Sequence, residues 1–428
     1  MKHFIFIILL LTHSIAFAGL TPIEKNLQNY IQEQQSAQRA LLKQLVNINS
    51  GTENPAGVRA VGDIMTTLFT EIGFHTQWFE LPKRMGHAGT LIAERRGNKG
   101  KRILIIGHLD TVFKKGSQFQ QYQVIANNEA KGPGITDDKG GLVTLLYALK
   151  ALHAAHALEN TNITVVLTGD EEDSGKPTTI SRKPLIDAAK DADIALDFEP
   201  SFGLESVSIG RRGVSNWTIE TYGKSAHSAG IFSETVGAGA IFEMARILNN
   251  LQQAFSHQKT VTFNPGFLLG GTELSYVKVR AEGQSFGKQN VVARKALVRG
   301  DMRFASKAQK DSLEARIKAV LKHNLPNTSA RVAFEDAIPA MPETKESLKL
   351  LQDYNQASVA LGYGKVSALS PSLRGAGDIS HVAEIVPAKL AGLGPTGSGA
   401  HTAEERIALS SLPIQTERAA VLIYRLTR

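Results

Sequence analysis

The sequence predicts an α/β catalytic domain with a mixed, mainly parallel sheet flanked by helices, and a smaller α+β domain inserted into it. Three observations carry this prediction. Short apolar runs alternate with amphipathic helical stretches between residues 102 and 198, the pattern of parallel strands joined by helices. Near Gly213 the texture changes, and "GVSNWTIETYG" alternates as a half-exposed strand does. After about Glu343 the helix–strand alternation returns. The expected division is a leader over 1–18, a catalytic domain over 19–212 and 337–428, and an insertion over 213–336.

The elements follow in order. "MKHFIFIILLLTHSIAFAGLTP" has a lysine, an apolar run and small residues at Ala16 and Ala18, which reads as a secretory signal peptide cleaved after Ala18. The run is too short to span a bilayer. The mature chain is therefore expected to be secreted or periplasmic, with no membrane partner. Helices are predicted over 22–50, through Ile23, Leu27, Ile31, Leu41, Leu42 and Leu45, and over Val58 to Ile72. Strands are predicted at 102–107, 163–168 and 193–198, with helices at 140–158 and 184–192 between them. The insertion reads as a ferredoxin-like β-α-β-β-α-β unit. Its strands are "GVSNWTIETYG", "ELSYVKVR", "ALVRGDMRF" and "RVAFED", and its helices lie near Val236 to Gln252 and in "KDSLEARIKAVLKHNL". Helices near Lys345 to Leu361 and Asp378 to Glu384, then the strand "AKLAGLG", complete the chain.

Composition narrows the chemistry. An apolar share of 42% in 428 residues is ample for a packed core. There is no cysteine, which excludes disulfides, thiolate metal ligands and cysteine nucleophiles. The formal charge is +8, but the basic residues are scattered and form no run interleaved with aromatics, so no nucleic-acid partner is expected. No G-x-S-x-G nucleophile motif occurs, and no phosphate-cradling loop.

Each predicted parallel strand runs into a metal-ligating residue type. "ILIIG" leads to His108, "ITVVLT" to Asp170, Glu171 and Glu172, "DIALDF" to Glu199, and "AKLAGLG" to His401. Ligands of open α/β sheets bind beyond the carboxyl ends of their strands. "GPGITDDKGG" adds Asp137 and Asp138 before a helix. Adjacent carboxylates repel unless a positive charge joins them. Two imidazoles and several carboxylates, without cysteine, suit zinc, with cobalt or manganese as substitutes.

The motifs "HLDTV", "GPGITDDKGG", "GDEEDSG", "DFEP" and "GAHT", in this order, resemble the M20 family of di-zinc metallopeptidases, and most of all its glutamate carboxypeptidase group. The resemblance covers essentially the whole mature chain. It implies two zinc ions per subunit, one held by His108 and Glu199, the other by Glu172 and His401, with Asp137 bridging. It implies that Asp110 orients His108, that Glu171 is the general base, and that a cis peptide follows Asp137. His227, in "YGKSAHSAG", stands where the family has a lid histidine that stabilises the oxyanion, often across a dimer. Asn290 and Arg303 match places where the family grips a substrate carboxylate. In "LRGAGDIS", Gly375, Gly377 and Asp378 are expected to shape the pocket, with Arg374 as a further substrate contact.

The implied function is hydrolysis of an amide bond, releasing a C-terminal amino acid such as glutamate from a peptide or N-acyl amino acid, in a homodimer formed through the insertion. Two departures leave the substrate open. Glu205 stands where the glutamate carboxypeptidases tend to carry a lysine, and "SGKPTTISRK" lengthens the loop after Glu172. An exported dipeptidase or aminoacylase of the same family is the alternative. An inactive peptide-binding protein is disfavoured because every expected ligand and the base are present.

Overall fold

The computed structural model describes residues 19–278 and 281–428, and the predicted leader lies outside them. The central sheet has six strands, in the spatial order His75–Phe79, Thr90–Arg95, Thr161–Thr168, Lys99–His108, Ile194–Asp197 and Ala388–Ala391. The first two pairings are antiparallel and the remaining three parallel. Four strands therefore end on one edge, where the site lies. The strand Lys99–His108 shows why the sheet is buried on both faces. Ile103 and Ile105 join a large core with helices Pro22–Glu33, Lys139–Ala154 and Ser411–Leu426, while Leu104 and Ile106 join a second core with Leu185, Ile379 and Val386.

The inserted sheet is fully antiparallel, in the order Thr262–Gly271, Lys295–Phe304, Gly213–Tyr222 and Ser329–Ile338. With helices Ala240–Phe255 and Lys307–Val320 it encloses its own core around Trp217, Met244, Ile247 and Met302. The ferredoxin-like order is as expected, but one strand is not where the sequence pattern puts it. The second strand is Thr262–Gly271, whereas "ELSYV" pairs with Glu282–Phe286 in a separate hairpin. Pro265 and three glycines disguise the true strand. It is an edge strand, where a proline and the register shift between Pro265 and Phe267 are tolerated.

Three further differences are local. Asp378–Val382 is a 3-10 helix, shorter than the helix expected to Glu384. Helix Ser411–Leu426, almost wholly buried, was not among the predicted elements, and its buried residues include the polar Gln415, Thr416, Glu417 and Arg418. His75–Phe79 and Thr90–Arg95 add the antiparallel part of the sheet. Among the described residues no helix is long and apolar enough to cross a membrane.

Candidate active site

The strand ends deliver their side chains to one point. His108 is the last residue of its strand, and Asp137 lies just before helix Lys139–Ala154. Asp137 sits between the two imidazoles, with Oδ1 3.0 Å from Nε2 of His108 and Oδ2 3.2 Å from Nε2 of His401. His401 Nε2 also lies 3.2 Å from Glu172 Oε2. Donor atoms of His108, Asp137 and Glu172 fall within 4.8 Å of one another, as do those of His108, Glu171 and Glu199. The Asp137–Asp138 peptide is cis.

The electrostatics are those of a cluster built around cations. Hydrogen bonds to Asp137 and Glu172 push the His401 imidazole up to about 11. His108 also lies well above its usual value: burial lowers it, but Asp110 and Asp137 prevail. Burial would raise Asp137, yet the two histidines hold it below the usual carboxylate range. Burial, then the neighbouring Glu199 carboxylate, pushes Glu171 well above its ordinary value, and burial raises Glu172 too. Glu172 Oε1 is buried and unpartnered. A buried carboxylate oxygen without a donor, beside two imidazoles that share one carboxylate, fits a divalent-ion site.

The model of peptidase family M20/M25/M40 matches residues 104–425. The chain belongs to this family. It is similar to carboxypeptidase G2 of a Pseudomonas species, 28% identical over 406 residues that cover 91% of this chain and 89% of that one. Its fold is that of aminopeptidase PepT from Bacillus cereus, with a TM-score of 0.74 at 18% identity, covering 92% of this chain and 99% of that one. It is also that of a dinuclear metal-binding M20 peptidase from Bacillus subtilis, with a TM-score of 0.64 at 14% identity, covering 92% and 99%. The protein is a hydrolytic enzyme of the M20 type, a family of dinuclear metal binders.

Around the cluster of this M20 enzyme lie residues that orient it. Asp110 is fully buried. Its Oδ1 accepts the main-chain N–H of Glu171 at 3.0 Å, and its Oδ2 accepts that of Glu172 at 3.1 Å and the hydroxyl of Thr52 at 2.7 Å. Nδ1 of His108 lies 3.1 Å from the Asp110 carbonyl oxygen and 3.3 Å from its Oδ1, which leaves Nε2 for a metal. Arg374 donates to Glu199 Oε2 at 2.8 Å, and its Nε is buried without a partner. A Cβ at Gly377 would lie 2.5 Å from Glu199 Oε1, so a larger residue there would have to displace Glu199. Gly375 is different: a Cβ would meet nothing within 4 Å.

Three predicted site residues do not join this cluster. His227, Asn290 and Arg303 lie on the insertion, and no described contact links them to the metal-ligand candidates. Nδ1 of His227 accepts the Ala229 N–H at 3.2 Å, and Ser228 N–H donates to the Asn290 carbonyl at 2.9 Å, so His227 and Asn290 are neighbours. Arg303 lies on strand Lys295–Phe304, 3.5 Å from Asp301 Oδ2. The reason is topological: all three belong to the separate antiparallel sheet and its loops, not to the central sheet edge.

Sequence reasoning missed three residues. Glu405 is buried and accepts from the N–H groups of Gly134, Thr136 and Asp137 at 3.0, 2.9 and 3.1 Å, fixing the loop that carries Asp137. Burial pushes its carboxyl up to about 7. Arg211 is buried and bridges Asp197, at 3.1 Å, to Glu199, at 2.8 Å, while donating to the carbonyls of Gly375 and Ala376 at 2.7 Å each. Arg182 lies in the stretch expected to be a substrate loop, but it is buried between Asp170 and Asp378. The only sequence signal was proximity: Glu405 follows His401 and Arg182 follows the acidic triplet.

Proposed function

We propose that this enzyme hydrolyses an amide bond beside a free carboxylate, releasing the C-terminal amino acid of a peptide or N-acyl amino acid. The observation that carries this reading is the placement of Glu171. Its carboxyl is grouped with His108 and Glu199, and the cation of Arg374, with an unpartnered Nε, sits on Glu199. His108, Asp137 and Glu199 would hold one divalent ion, and Asp137, Glu172 and His401 the other. Zinc is the expected metal, with cobalt or manganese as substitutes, and the pair would supply a Lewis acid and acidify water toward neutrality.

The chain's own residues then do the proton work. Glu171 takes a proton from the attacking water as its oxygen bonds to the amide carbon. Glu171 holds that proton until the C–N bond breaks, when the leaving nitrogen receives it. Arg374 has donors to spare for a substrate carboxylate, and an arginine fork suits that geometry. The neighbouring His227 and Asn290 would act together, reaching the site of a second copy in a homodimer through the insertion. The signal-peptide pattern at 1–18 supports a location outside the cytoplasm, where released peptides would be the substrates.

The test is to load the mature protein with zinc and offer it a mixed panel of dipeptides, N-acyl amino acids and their C-terminal amides. Mass spectrometry would read the amino acids freed, with Glu171→Ala as the blank. Release of C-terminal residues supports the reading. Release that persists in the Glu171→Ala blank, or cleavage only of compounds without a carboxylate, rejects it.

A further inference from the structure

Arg182 is 1% exposed and caps the short helix Thr178–Ser181. Its guanidinium divides its donors between two loops. Toward the acidic loop, Nη1 donates to Asp170 Oδ1 at 2.6 Å, and Nη2 donates to the Asp170 carbonyl and to Ser174 Oγ, both at 2.8 Å. Toward the glycine loop, Nε donates to Asp378 Oδ1 at 2.6 Å. The second oxygens are also engaged: Asp170 Oδ2 accepts the Gly175 N–H at 2.8 Å, and Asp378 Oδ2 accepts the Thr168 hydroxyl at 2.6 Å.

The peptide unit joining Asp170 to Glu171 is thus held at both ends. Arg182 takes its carbonyl, and Asp110 takes its N–H at 3.0 Å. With the carbonyl and the N–H both pinned, the direction in which Glu171 leaves the backbone is set. We propose that Arg182 is a positioning residue for Glu171 and Glu172, clamping the loop that carries them onto the glycine loop that ends in Asp378.

Two physical points favour orientation over bulk stability. A buried ion triad taken whole is weak evidence for stability, since replacing all its members by apolar groups is often neutral. Removing the arginine alone strands Asp170 and Asp378 and destabilises the fold, so unfolding is read separately from turnover. A guanidinium also offers a planar fork that a lysine cannot copy, and this one contacts both loops at once. The glycine loop is held from its other end by Arg211, which donates to the carbonyls of Gly375 and Ala376 and reaches Glu199. The base loop, the glycine loop and Glu199 therefore form one hydrogen-bonded body, with Arg182 as the link to Glu171.

This inference rests on the reading of Glu171 as the base, so its test includes a readout that does not need turnover. The mature enzyme and its Arg182→Gln, Arg182→Lys and Arg182→Ala variants are loaded with cobalt. Metal stoichiometry, thermal unfolding, the visible absorption of bound cobalt, kcat and KM are then measured. The expected result is folded variants that bind the metal fully, with a shifted cobalt spectrum, a kcat lower by about 10- to 100-fold and little change in KM. Arg182→Lys should resemble Arg182→Gln, and free guanidinium should restore part of the spectrum and of kcat to Arg182→Ala. A wild-type spectrum and kcat in the glutamine and lysine variants would overturn the proposal. So would activity that falls only with the folded fraction, or an Arg182→Lys chain that cannot fold. If the wild type cleaves nothing in the panel, the proposed function fails, and the cobalt spectrum still decides the role of Arg182.

Discussion

Asp110 accepts the main-chain N–H of Glu171 at 3.0 Å, through the same oxygen that lies 3.3 Å from Nδ1 of His108. One carboxylate therefore sets both the backbone of the base and the ring of a metal-ligand candidate. Its other oxygen holds Glu172 N–H and the Thr52 hydroxyl. Replacing it by alanine orphans these donors in a buried site. We expect Asp110→Ala to lower kcat/KM and metal affinity by about 10- to 100-fold each. Asp110→Asn, which keeps one acceptor oxygen, should lose less. Kinetics and metal content after dialysis check this, and wild-type values for Asp110→Ala would refute it.

Glu171→Gln removes the proton acceptor while keeping the size of the side chain. We expect kcat to fall by about 10²- to 10⁴-fold with the metal content unchanged. Retention of activity would show that another group takes the proton.

Metal loading should release protons. The His401 imidazole is pushed up to about 11 by Asp137 and Glu172, so near neutrality the metal-free site carries its proton. A metal must displace that proton, so affinity rises with pH and falls on acidification. Calorimetry in two buffers of different ionisation enthalpy measures the protons released. A value of zero at pH 7 would contradict the protonated metal-free site.

The two glycines of the pocket loop should respond differently. A Cβ at 377 would lie 2.5 Å from Glu199 Oε1 and 2.6 Å from Arg211 Nη1, whereas one at 375 meets nothing within 4 Å. Gly377→Ala should displace Glu199, lowering activity and the occupancy of its metal while the protein stays folded. Gly375→Ala should stay within about 0.5 kcal/mol of wild-type stability. Equal effects of the two changes would speak against the close contact at Gly377.

Far from the site, Glu24 joins the first helix to the last. Its Oε2 accepts the Thr21 N–H at 2.8 Å, and its Oε1 accepts from Arg425 at 2.6 Å. Burial pushes its carboxyl upward, but Arg425 and Thr21 outweigh this and hold it below its ordinary 4.5. A depressed folded value means that the stabilisation is complete above pH 4.5 and is lost as the pH falls through the folded value. Glu24→Gln should cost about 1–3 kcal/mol at pH 7. The gap between the two proteins should narrow as the pH is lowered toward 4, as read by denaturant midpoints. A gap independent of pH would mean that the charge is not what matters.

Much of the catalytic domain was legible in the sequence, because apolar runs mark buried strands and their ends mark the sheet edge. His108, the acidic triplet, Glu199, His401 and the Asp137–Asp138 pair stood out for that reason, and the choice of Asp137 and Glu172 within those groups came from the family resemblance. Each stands at or beyond a strand end, or at a helix start, and each has the chemistry of a ligand. The insertion was readable as a class but misread by one strand, since Pro265 and the glycines of Thr262–Gly271 hide a strand that tolerates them only at an edge. Helix Ser411–Leu426 was not read, and the sequence does not tell that its polar Gln415, Thr416, Glu417 and Arg418 are buried, because their partners lie in distant segments.

What the sequence determined by itself was the inventory of the site and the strand ends that present it. What only the tertiary structure decided was which loops meet. Arg182 finds Asp378 across 196 positions and Glu405 finds the Asp137 N–H across 268, and Arg211 reaches Gly375 across 164. Periodicity reports how one segment faces its surroundings. It carries no record of the partner, because a buried charge is placed by a hydrogen bond whose other half lies in a distant loop.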